Sequence, residues 1–298
     1  IYIFFFIINW TNNNYFFFHK NIKIKKYLNY IISIKYKKMN KNKIFISGIT
    51  GDIGKELRKK FKEKDIVKYK RLKTENKIKI KKQLENIFKK NKIETIFHCS
   101  TIFKGSKKKI FDCNYVYSKI IYKLAIKYKV RYFFNFDTIL PMKVNIYSES
   151  KNKFYNYIKL KKKIRTFNLK IGHVYGSNNN KEKLIPTLIN KIKKNSKINL
   201  TKGNQKRFFI NIKKLISSIN KIYIRRYKFK NIFNEFYFIS EKQISIKTLV
   251  KMIINIINKD FDKVAYGALE YRKNEIMKFN KAKLKGTKVI IKSNLLRD

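Results

Sequence analysis

The sequence predicts an α/β fold in which a doubly wound parallel sheet carries a smaller mixed α/β lobe. From Lys43 onward, short apolar runs alternate with longer stretches of helical periodicity, as in a parallel sheet with helices on both faces. Three glycines follow the first apolar run at positions i, i+3 and i+6. A chain of 298 residues, of which 44% are hydrophobic, can bury one large core and a smaller lobe.

The elements can be assigned in order along the chain. The predicted strands are KIFISG (43–48), DIVKYK (65–70), IETIFHCS (93–100), VRYFFNFDT (130–138) and IRTFNLKIGHVYG (164–176), the last of which runs into a loop. The predicted helices are GKELRKKFKEK (54–64), SKIIYKLAIKYK (118–129) and residues 151–164. Beyond residue 177 short helices and strands mix. We therefore expect a larger domain at 39–176 and, at 177–298, mainly the smaller lobe.

Residues 1–38 precede this pattern. Their apolar runs are interrupted by Asn, Lys and His before the roughly 18 to 20 residues of a membrane span accumulate, so we expect no transmembrane helix. We interpret this segment as a non-native upstream extension, with Met39 as the true start, or as a targeting segment. The expected location is the cytoplasm, or an organelle if residues 1–38 are a targeting segment.

The net charge of +56, from 74 Lys+Arg against 18 Asp+Glu, would ordinarily indicate a polyanionic partner. Lys, Asn, Ile, Tyr and Phe are enriched together throughout the chain, which is typical of compositional drift, so we expect no specific nucleic-acid partner. Cys99 and Cys113 are too few for a disulfide framework and show no ligand spacing, and no metal site is expected.

The segment FISGITGDIGKEL places three glycines between a predicted strand and a predicted helix. In this position glycines allow a tight turn, close approach of a pyrophosphate to the backbone, and close packing of the helix. The sequence therefore predicts a Rossmann-type dinucleotide site that includes Gly48, Gly51, Asp52, Ile53 and Gly54.

The end of the second predicted strand, VKYKRLK, bears on the choice of cofactor. Many NAD-selective folds carry an acidic residue there for the ribose hydroxyl, whereas this chain has Lys70 and Arg71. Arg71 is therefore a predicted cofactor residue that favours NADP over NAD. In a chain so rich in Lys, a basic residue at this position is also expected by composition alone, so both cofactors stay open.

The motif YSESK places Tyr147 and Lys151 four residues apart, on one face of a helix. A neighbouring ammonium favours the phenolate of a tyrosine, which suits acid/base chemistry beside a nicotinamide. Thr138, at the end of the preceding strand, can hydrogen-bond the same substrate oxygen. Thr138, Tyr147 and Lys151 are therefore the predicted catalytic residues.

Several blocks resemble the extended short-chain dehydrogenase/reductase family, the epimerases, dehydratases and ketoreductases of sugar nucleotides, from Lys43 to Met277. They are the cofactor turn GITGDIG, IFHCST, a helix asparagine at Asn114, FNFDTILP and YSESK. LTKGNQKRFF (200–209) and YGALEYRKNE (266–275) are most similar to its CDP-abequose and CDP-paratose synthase-like members. Relatives usually continue beyond the last residues here, so truncation at the C-terminus is expected.

The resemblance implies further roles. Ser100, in IFHCST, is implied to bind the cofactor, and Lys151 to hold the nicotinamide ribose. Arg207 suits the diphosphate of the substrate. His173 stands where many relatives carry a substrate-contacting asparagine. The usual aspartate after that arginine is Phe208 here, which puts the local contacts in doubt.

The implied activity is an NAD(P)-dependent reduction of a nucleotide-diphosphate 4-keto-deoxysugar, and a homodimer is usual in such families. A 4-epimerase or dehydratase uses the same residues and stays open. A catalytically decayed dinucleotide-binding protein is the alternative of another class, motivated by the lost acidic residues.

Overall fold

The computed structural model describes residues 42–69, 76–176 and 183–293. The predicted extension at 1–38 and the predicted cofactor residue Arg71 lie outside the described residues. Within the described ranges, none of the helices is long and apolar enough to cross a membrane.

Strands are numbered along the chain: β1 (Lys43–Ser47), β2 (Ile93–His98), β3 (Tyr132–Thr138), β4 (Arg165–Ile171), β5 (His173–Tyr175), β6 (Ile198–Leu200), β7 (Lys206–Arg207), β8 (Phe209–Asn211), β9 (Phe233–Ser240), β10 (Ile244–Ser245), β11 (Val264–Tyr266) and β12 (Thr287–Ile291). The α-helices are α1 (Asp52–Arg58), α2 (Lys77–Lys90), α3 (Lys107–Phe111), α4 (Tyr117–Lys127), α5 (Ile146–Lys161), α6 (Leu184–Lys193), α7 (Ile212–Ile224) and α8 (Ile246–Ile257).

The central sheet has six parallel strands in the order β1-β2-β3-β4-β9-β12. Both faces of β2 and β3 are buried along their whole length, as expected of a parallel sheet covered on both sides. A row of aromatic rings crosses one face, with centroid separations of 4.7 Å from Phe97 to Phe134, 4.4 Å from Phe134 to Phe167, and 6.4 Å from Phe167 to Phe236.

Helices cover the two faces of the sheet separately. On the face with the aromatic row, Leu57 of α1 and the apolar side of α7 pack against the strands. On the other face lie the buried side chains of α2, α4 and α5, among them Phe88, Tyr122 and Phe154. This two-sided arrangement confirms the predicted α/β fold with a doubly wound parallel sheet.

A smaller mixed α/β part is built around α6 and α8. Their apolar sides share a core with Ile198 and Phe209. Short strand pairs flank it: β5 with β8 and β6 with β11 in parallel, and β7 with β10 antiparallel. Because β9 and β12 belong to the central sheet, the segment beyond residue 177 also contributes to the large core, and the division at this residue remains a prediction.

Two predicted elements differ from the structure. The predicted strand DIVKYK does not form a strand in its described part. It makes a single parallel bridge, between Ile66 and Ile44, in which Val67 N donates to Ile44 O at 2.8 Å. The helix predicted over 54–64 ends at Arg58. Beyond it, the ring of Phe61 turns onto Phe97, 5.4 Å away between centroids.

Helix α5 includes both Tyr147 and Lys151, as the spacing in YSESK predicts, and a capping box fixes its start at Asn145. The Asn145 side chain accepts from Ser148 N at 2.8 Å, and the Ser148 hydroxyl accepts from Asn145 N at 3.1 Å. Tyr147 therefore lies in the first turn, and Lys151 lies one turn further on.

Candidate active site

A cleft of about 1740 Å³ lies at the carboxyl ends of β1, β2, β3 and β4 and reaches α6 and α8. Ligands of open parallel sheets bind at this edge. We call the part formed by residues 47–54 and 99–101 the turn side, and the part formed by residues 172–176, 183–193 and 272 the lobe side. Thr138 and Tyr147 line the cleft between them.

The glycine turn requires glycine at two of its three positions. Gly48 has φ +73°, and a Cβ there would lie 2.7 Å from the backbone of Ser100. At Gly54 a Cβ would lie 2.2 Å from Gly48 O. Gly51 is less crowded, with the nearest atom at 3.3 Å, and its N–H donates to Gly48 O at 3.0 Å. The predicted turn therefore follows β1 closely and leads into α1.

A chain of hydrogen bonds supports the turn side from below. Ser118 Oγ donates to Asn114 O at 2.9 Å, so its remaining capacity is to accept from His98 Nε2, 2.7 Å away. This assigns the proton to Nε2 and leaves Nδ1 to accept from Ser47 Oγ at 2.7 Å. Ser47 Oγ in turn accepts from Ser100 N at 3.4 Å. Burial, with a smaller effect of Lys151, lowers the pKa of His98 to about 3, so the ring is neutral.

Asn114 lies in a π-helical segment, Asp112–Val116, between α3 and α4. Its amide oxygen accepts from Thr101 Oγ1 at 2.9 Å and from Ile102 N at 3.0 Å, and its amide nitrogen donates to Ile102 O at 2.8 Å. Asn114 thus orients Thr101, which lines the cleft. Such π segments are frequent at functional sites.

Tyr147 lines the cleft together with Thr138 and Thr101. Burial and then the charge of Asp137 raise the pKa of Tyr147 to about 12, against the lowering effect of hydrogen bonding to Thr138 and Thr101. The sequence led us to expect a phenolate favoured by Lys151 together with the cationic ring of a bound nicotinamide, which stays a prediction; the protein's own groups raise the pKa of Tyr147. Tyr147 is therefore a protonated phenol at neutral pH.

Lys151 is almost completely buried and donates from Nζ to Phe136 O at 2.7 Å. Burial lowers its pKa, while Asp137 and the two cysteines oppose that change. Both cysteines line the cleft, and neither forms a disulfide. The ammonium is thus held by a β3 carbonyl beneath the site.

The predicted substrate residues His173 and Arg207 differ in their access to the cleft. His173 is half-buried and lines the cleft; burial, followed by the charges of Arg207 and Arg272, lowers its pKa to about 4. Arg207 is buried and is engaged by Glu275 and by Ile276 O, the latter at 2.6 Å. Arg272, which sequence reasoning did not single out, is exposed and lines the cleft.

One ion pair joins the two sides. Asp52, the first residue of α1, lies with its carboxylate 2.7 Å from Nζ of Lys183, which precedes α6. Ile53 packs against the core of the sheet and also lines the cleft. The predicted residues Gly48, Gly51, Asp52, Ile53, Gly54 and Ser100 therefore meet at one wall of the cleft.

The family model for the NAD dependent epimerase/dehydratase family matches residues 44–228. The chain belongs to this family. One relative of this chain is the CDP-abequose synthase of Salmonella muenchen, which is 28% identical over 201 residues. The matched residues cover 62% of this chain and 67% of that protein. These findings confirm the family predicted from the motifs, and with it an enzyme.

Solved structures agree on the fold. The UDP-glucose 4-epimerase of Thermotoga maritima, solved with UDP-glucose, gives a TM-score of 0.67 at 15% identity and covers 79% of this chain and 88% of its own. The UDP-glucuronic acid 4-epimerase of Bacillus cereus, solved with UDP-glucuronic acid and NAD, gives 0.64 at 16% identity over the same shares, 79% and 88%. This chain therefore has the predicted Rossmann-type fold.

A dinucleotide fits the turn side of this family member. Side chains at positions 48 and 54 would collide with neighbouring backbone, so the turn is built for close approach. Sequence reasoning missed Thr101, Asp137 and Arg272 as cleft residues. Thr101 and Arg272 lie in the family-like blocks IFHCST and YGALEYRKNE, and Asp137 directly precedes Thr138. Their positions within these blocks could have identified them as cleft residues.

Proposed function

We propose that this enzyme reduces the keto group of a nucleotide-linked 4-keto-deoxysugar, using NADPH or NADH. The observation that carries the proposal is that Tyr147 and Thr138 line the cleft between the glycine turn and the lobe side, with the buried Lys151 bonded to Phe136 O. A phenol is the form of tyrosine present at neutral pH, and it can donate a proton to a ketone oxygen in the transition state. The similarity to CDP-abequose synthase supports a nucleotide-linked substrate.

In this proposal Tyr147 and Thr138 bind the ketone oxygen. When bound, a reduced nicotinamide supplies the hydride that adds to the carbonyl carbon. As the carbon–oxygen double bond is reduced, Tyr147 releases its proton to the oxygen, and the phenolate recovers a proton from solvent. Lys151 lies beneath and stabilises the transient phenolate by its charge. The turn residues and Ser100 hold the dinucleotide.

The lobe side would hold the nucleotide-diphosphate group. Arg272 is exposed to the cleft and offers a planar cation for a diphosphate. Arg207 already bonds Glu275 and a backbone carbonyl, so we assign it the role of a buried support rather than a direct ligand. His173, neutral beside both arginines, would contact the sugar or the diphosphate as a hydrogen-bonding group.

The test follows oxidation of NADPH and NADH by the full chain with CDP-, UDP- and dTDP-linked 4-keto sugars. Tyr147→Phe is expected to lower the rate at least about 100-fold, the usual contribution of a positioned acid. Tyr157→Phe makes the same change on the same helix outside the cleft lining and is expected to retain activity.

Other outcomes separate the alternatives. Tightly bound NAD with inversion of an alcohol and no net cofactor oxidation identifies a 4-epimerase. Formation of a keto sugar from an alcohol with loss of water identifies a dehydratase. Dinucleotide binding with no turnover of any of these sugars indicates a decayed binding protein, and each of these results overturns the reductase proposal.

A further inference from the structure

The side-chain amide of Asn114 has a fixed orientation beside the cleft. Ile102 N donates to Asn114 Oδ1 at 3.0 Å, and Asn114 Nδ2 donates to Ile102 O at 2.8 Å. A backbone N–H can only donate and a backbone carbonyl can only accept, so the two ends of the amide cannot be exchanged. The side chain is also completely buried, so water does not replace these partners. The amide oxygen is therefore a fixed acceptor.

This acceptor uses the one proton of the Thr101 hydroxyl. Thr101 Oγ1 lies 2.9 Å from Asn114 Oδ1, and because an amide oxygen cannot donate, Thr101 is the donor. At neutral pH Tyr147 is a phenol, whose oxygen is a weaker acceptor than an amide oxygen, so the proton stays with Asn114. Thr101 is exposed and lines the cleft. Its hydroxyl therefore offers the cleft only lone pairs, which can bind a hydrogen-bond donor but not an acceptor.

Thr138 has the opposite polarity. Its Oγ1 accepts from Leu140 N at 3.2 Å, so its hydroxyl proton remains available to the cleft, which it also lines. A ketone oxygen and the oxygens of an ionised diphosphate only accept hydrogen bonds. Of the two threonines, Thr138 thus suits the ketone oxygen, whereas Thr101 suits a hydroxyl.

Hydrogen bonds also connect Thr101 to the helix that carries the proposed acid. Asn114 Nδ2 donates to Ser150 Oγ at 3.3 Å, and Ser150 Oγ donates to Tyr147 O at 2.9 Å. Asn114 therefore contacts both the Thr101 hydroxyl and the beginning of α5, and Thr101 and Tyr147 both line the cleft. Under the proposed function, the Thr101 acceptor thus lies in the part of the cleft where the ketone reacts.

We propose that Thr101 determines substrate specificity by accepting a hydrogen bond from a sugar hydroxyl next to the reacting ketone. In a 4-keto sugar this hydroxyl is on C3, because the other neighbouring carbon, C5, carries the ring oxygen and C6. The enzyme thus prefers a 4-keto-6-deoxy sugar that retains its C3 hydroxyl over the corresponding 3,6-dideoxy sugar. This inference rests on the proposed function and deepens it, since it names the substrate class.

The test compares wild type and Thr101→Val, in the full chain, on two 4-keto-6-deoxy sugars that differ only in the C3 hydroxyl, each linked to CDP, UDP or dTDP. Valine keeps the shape of threonine, and Ile102 N still bonds Asn114 Oδ1, so Asn114 keeps its position. We expect the kcat/KM of wild type to be about 3- to 10-fold higher for the sugar with the hydroxyl, as one neutral hydrogen bond allows. Thr101→Val should lose this preference by lowering kcat/KM for that sugar alone.

Two variants control for effects on folding and packing. Thr101→Ser keeps the hydroxyl and should keep the preference. Thr248→Val makes the same change on α8, outside the cleft lining, and should also keep it. A wild type without the preference, or an equal loss of kcat/KM for both sugars in Thr101→Val, overturns the inference. If that equal loss comes with weaker binding of NADPH or NADH by calorimetry, Thr101 bonds a hydroxyl of the cofactor instead.

Binding separates failure of this inference from failure of the proposed function. Calorimetry with the oxidised dinucleotide present measures the affinity for each sugar without reduction. If wild type binds the sugar with the hydroxyl more tightly, Thr101→Val does not, and no ketone is reduced, the proposed function fails while the Thr101 contact holds. If wild type reduces both sugars equally well, the inference alone fails. If neither sugar binds, both fail.

Discussion

One histidine, His98, is buried beneath the turn side of the cleft and another, His173, lines the lobe side, and their ring nitrogens differ in hydrogen bonding. Both ring nitrogens of His98 have hydroxyl partners at 2.7 Å. Nδ1 of His173 is buried and has no hydrogen-bond partner among the described residues. Buried polar atoms are normally paired, so the turn side is complete as it stands, whereas the lobe side leaves a position for a ligand or water. Under the proposed function, the wall that holds the dinucleotide is preformed and the substrate completes the hydrogen bonding of the lobe side.

The largest expected effect is on acid stability. The pKa of His98 is lowered from 6.5 to about 3, so between these values the unfolded chain binds a proton that the folded chain does not. The free energy of unfolding should therefore fall as the pH drops from about 6.5 to about 3, by on the order of 4 to 5 kcal/mol at about 1.4 kcal/mol per unit. Denaturant titrations of wild type and His98→Gln measure it, and the variant should show a flatter pH dependence.

His173→Gln is the control for that experiment. The pKa of His173 is lowered to about 4, and the side chain is half-buried. Its contribution to the fall in the free energy of unfolding at acid pH should therefore be smaller than that of His98. If His173→Gln flattened the pH dependence of the free energy of unfolding as much as His98→Gln does, the expected difference between the two histidines would be wrong.

An intermediate effect is expected from Gly54→Ala. The added methyl would meet Gly48 O at 2.2 Å, a backbone atom that cannot move without reshaping the turn. We expect a loss of about 3 kcal/mol in the free energy of unfolding, together with weaker dinucleotide binding measured by calorimetry. Gly51→Ala, whose nearest atom is at 3.3 Å, should cost under about 1 kcal/mol. Equal losses at the two positions would show that the turn is more adaptable than its geometry indicates.

The smallest effect concerns the link between the sides. Lys183 and Asp52 form a partly exposed ion pair at 2.7 Å. A double-mutant cycle with Lys183→Gln and Asp52→Asn should give a coupling of about 0.5 to 1 kcal/mol, the usual range for such pairs. A coupling above about 2 kcal/mol would mean that the two sides do not behave independently.

Much of this arrangement could be predicted from local signals. The glycine turn and YSESK are short blocks whose geometry depends on neighbours in sequence, and the apolar runs mark β1 to β4. The remaining features depend on contacts between distant residues. The bond from Lys151 to Phe136 O involves a carbonyl that any sequence contains. The pairing of Arg207 with Glu275 joins residues 68 positions apart. Asp137 was missed because its burial beside Thr138 depends on how the strands pack, which the motif does not report.

The number of residues in the π segment, Asp112–Val116, determines the orientation of Asn114 in the site. Each residue of an α-helix turns its neighbours by about 100°. Loss of one residue there would let α3 and α4 join as a regular helix, and Asn114 would swing away from Thr101 and Ile102, which it now holds at 2.9 and 3.0 Å. A single-residue deletion in this segment should therefore disturb the orientation of Thr101 more than a substitution at a position other than Asn114.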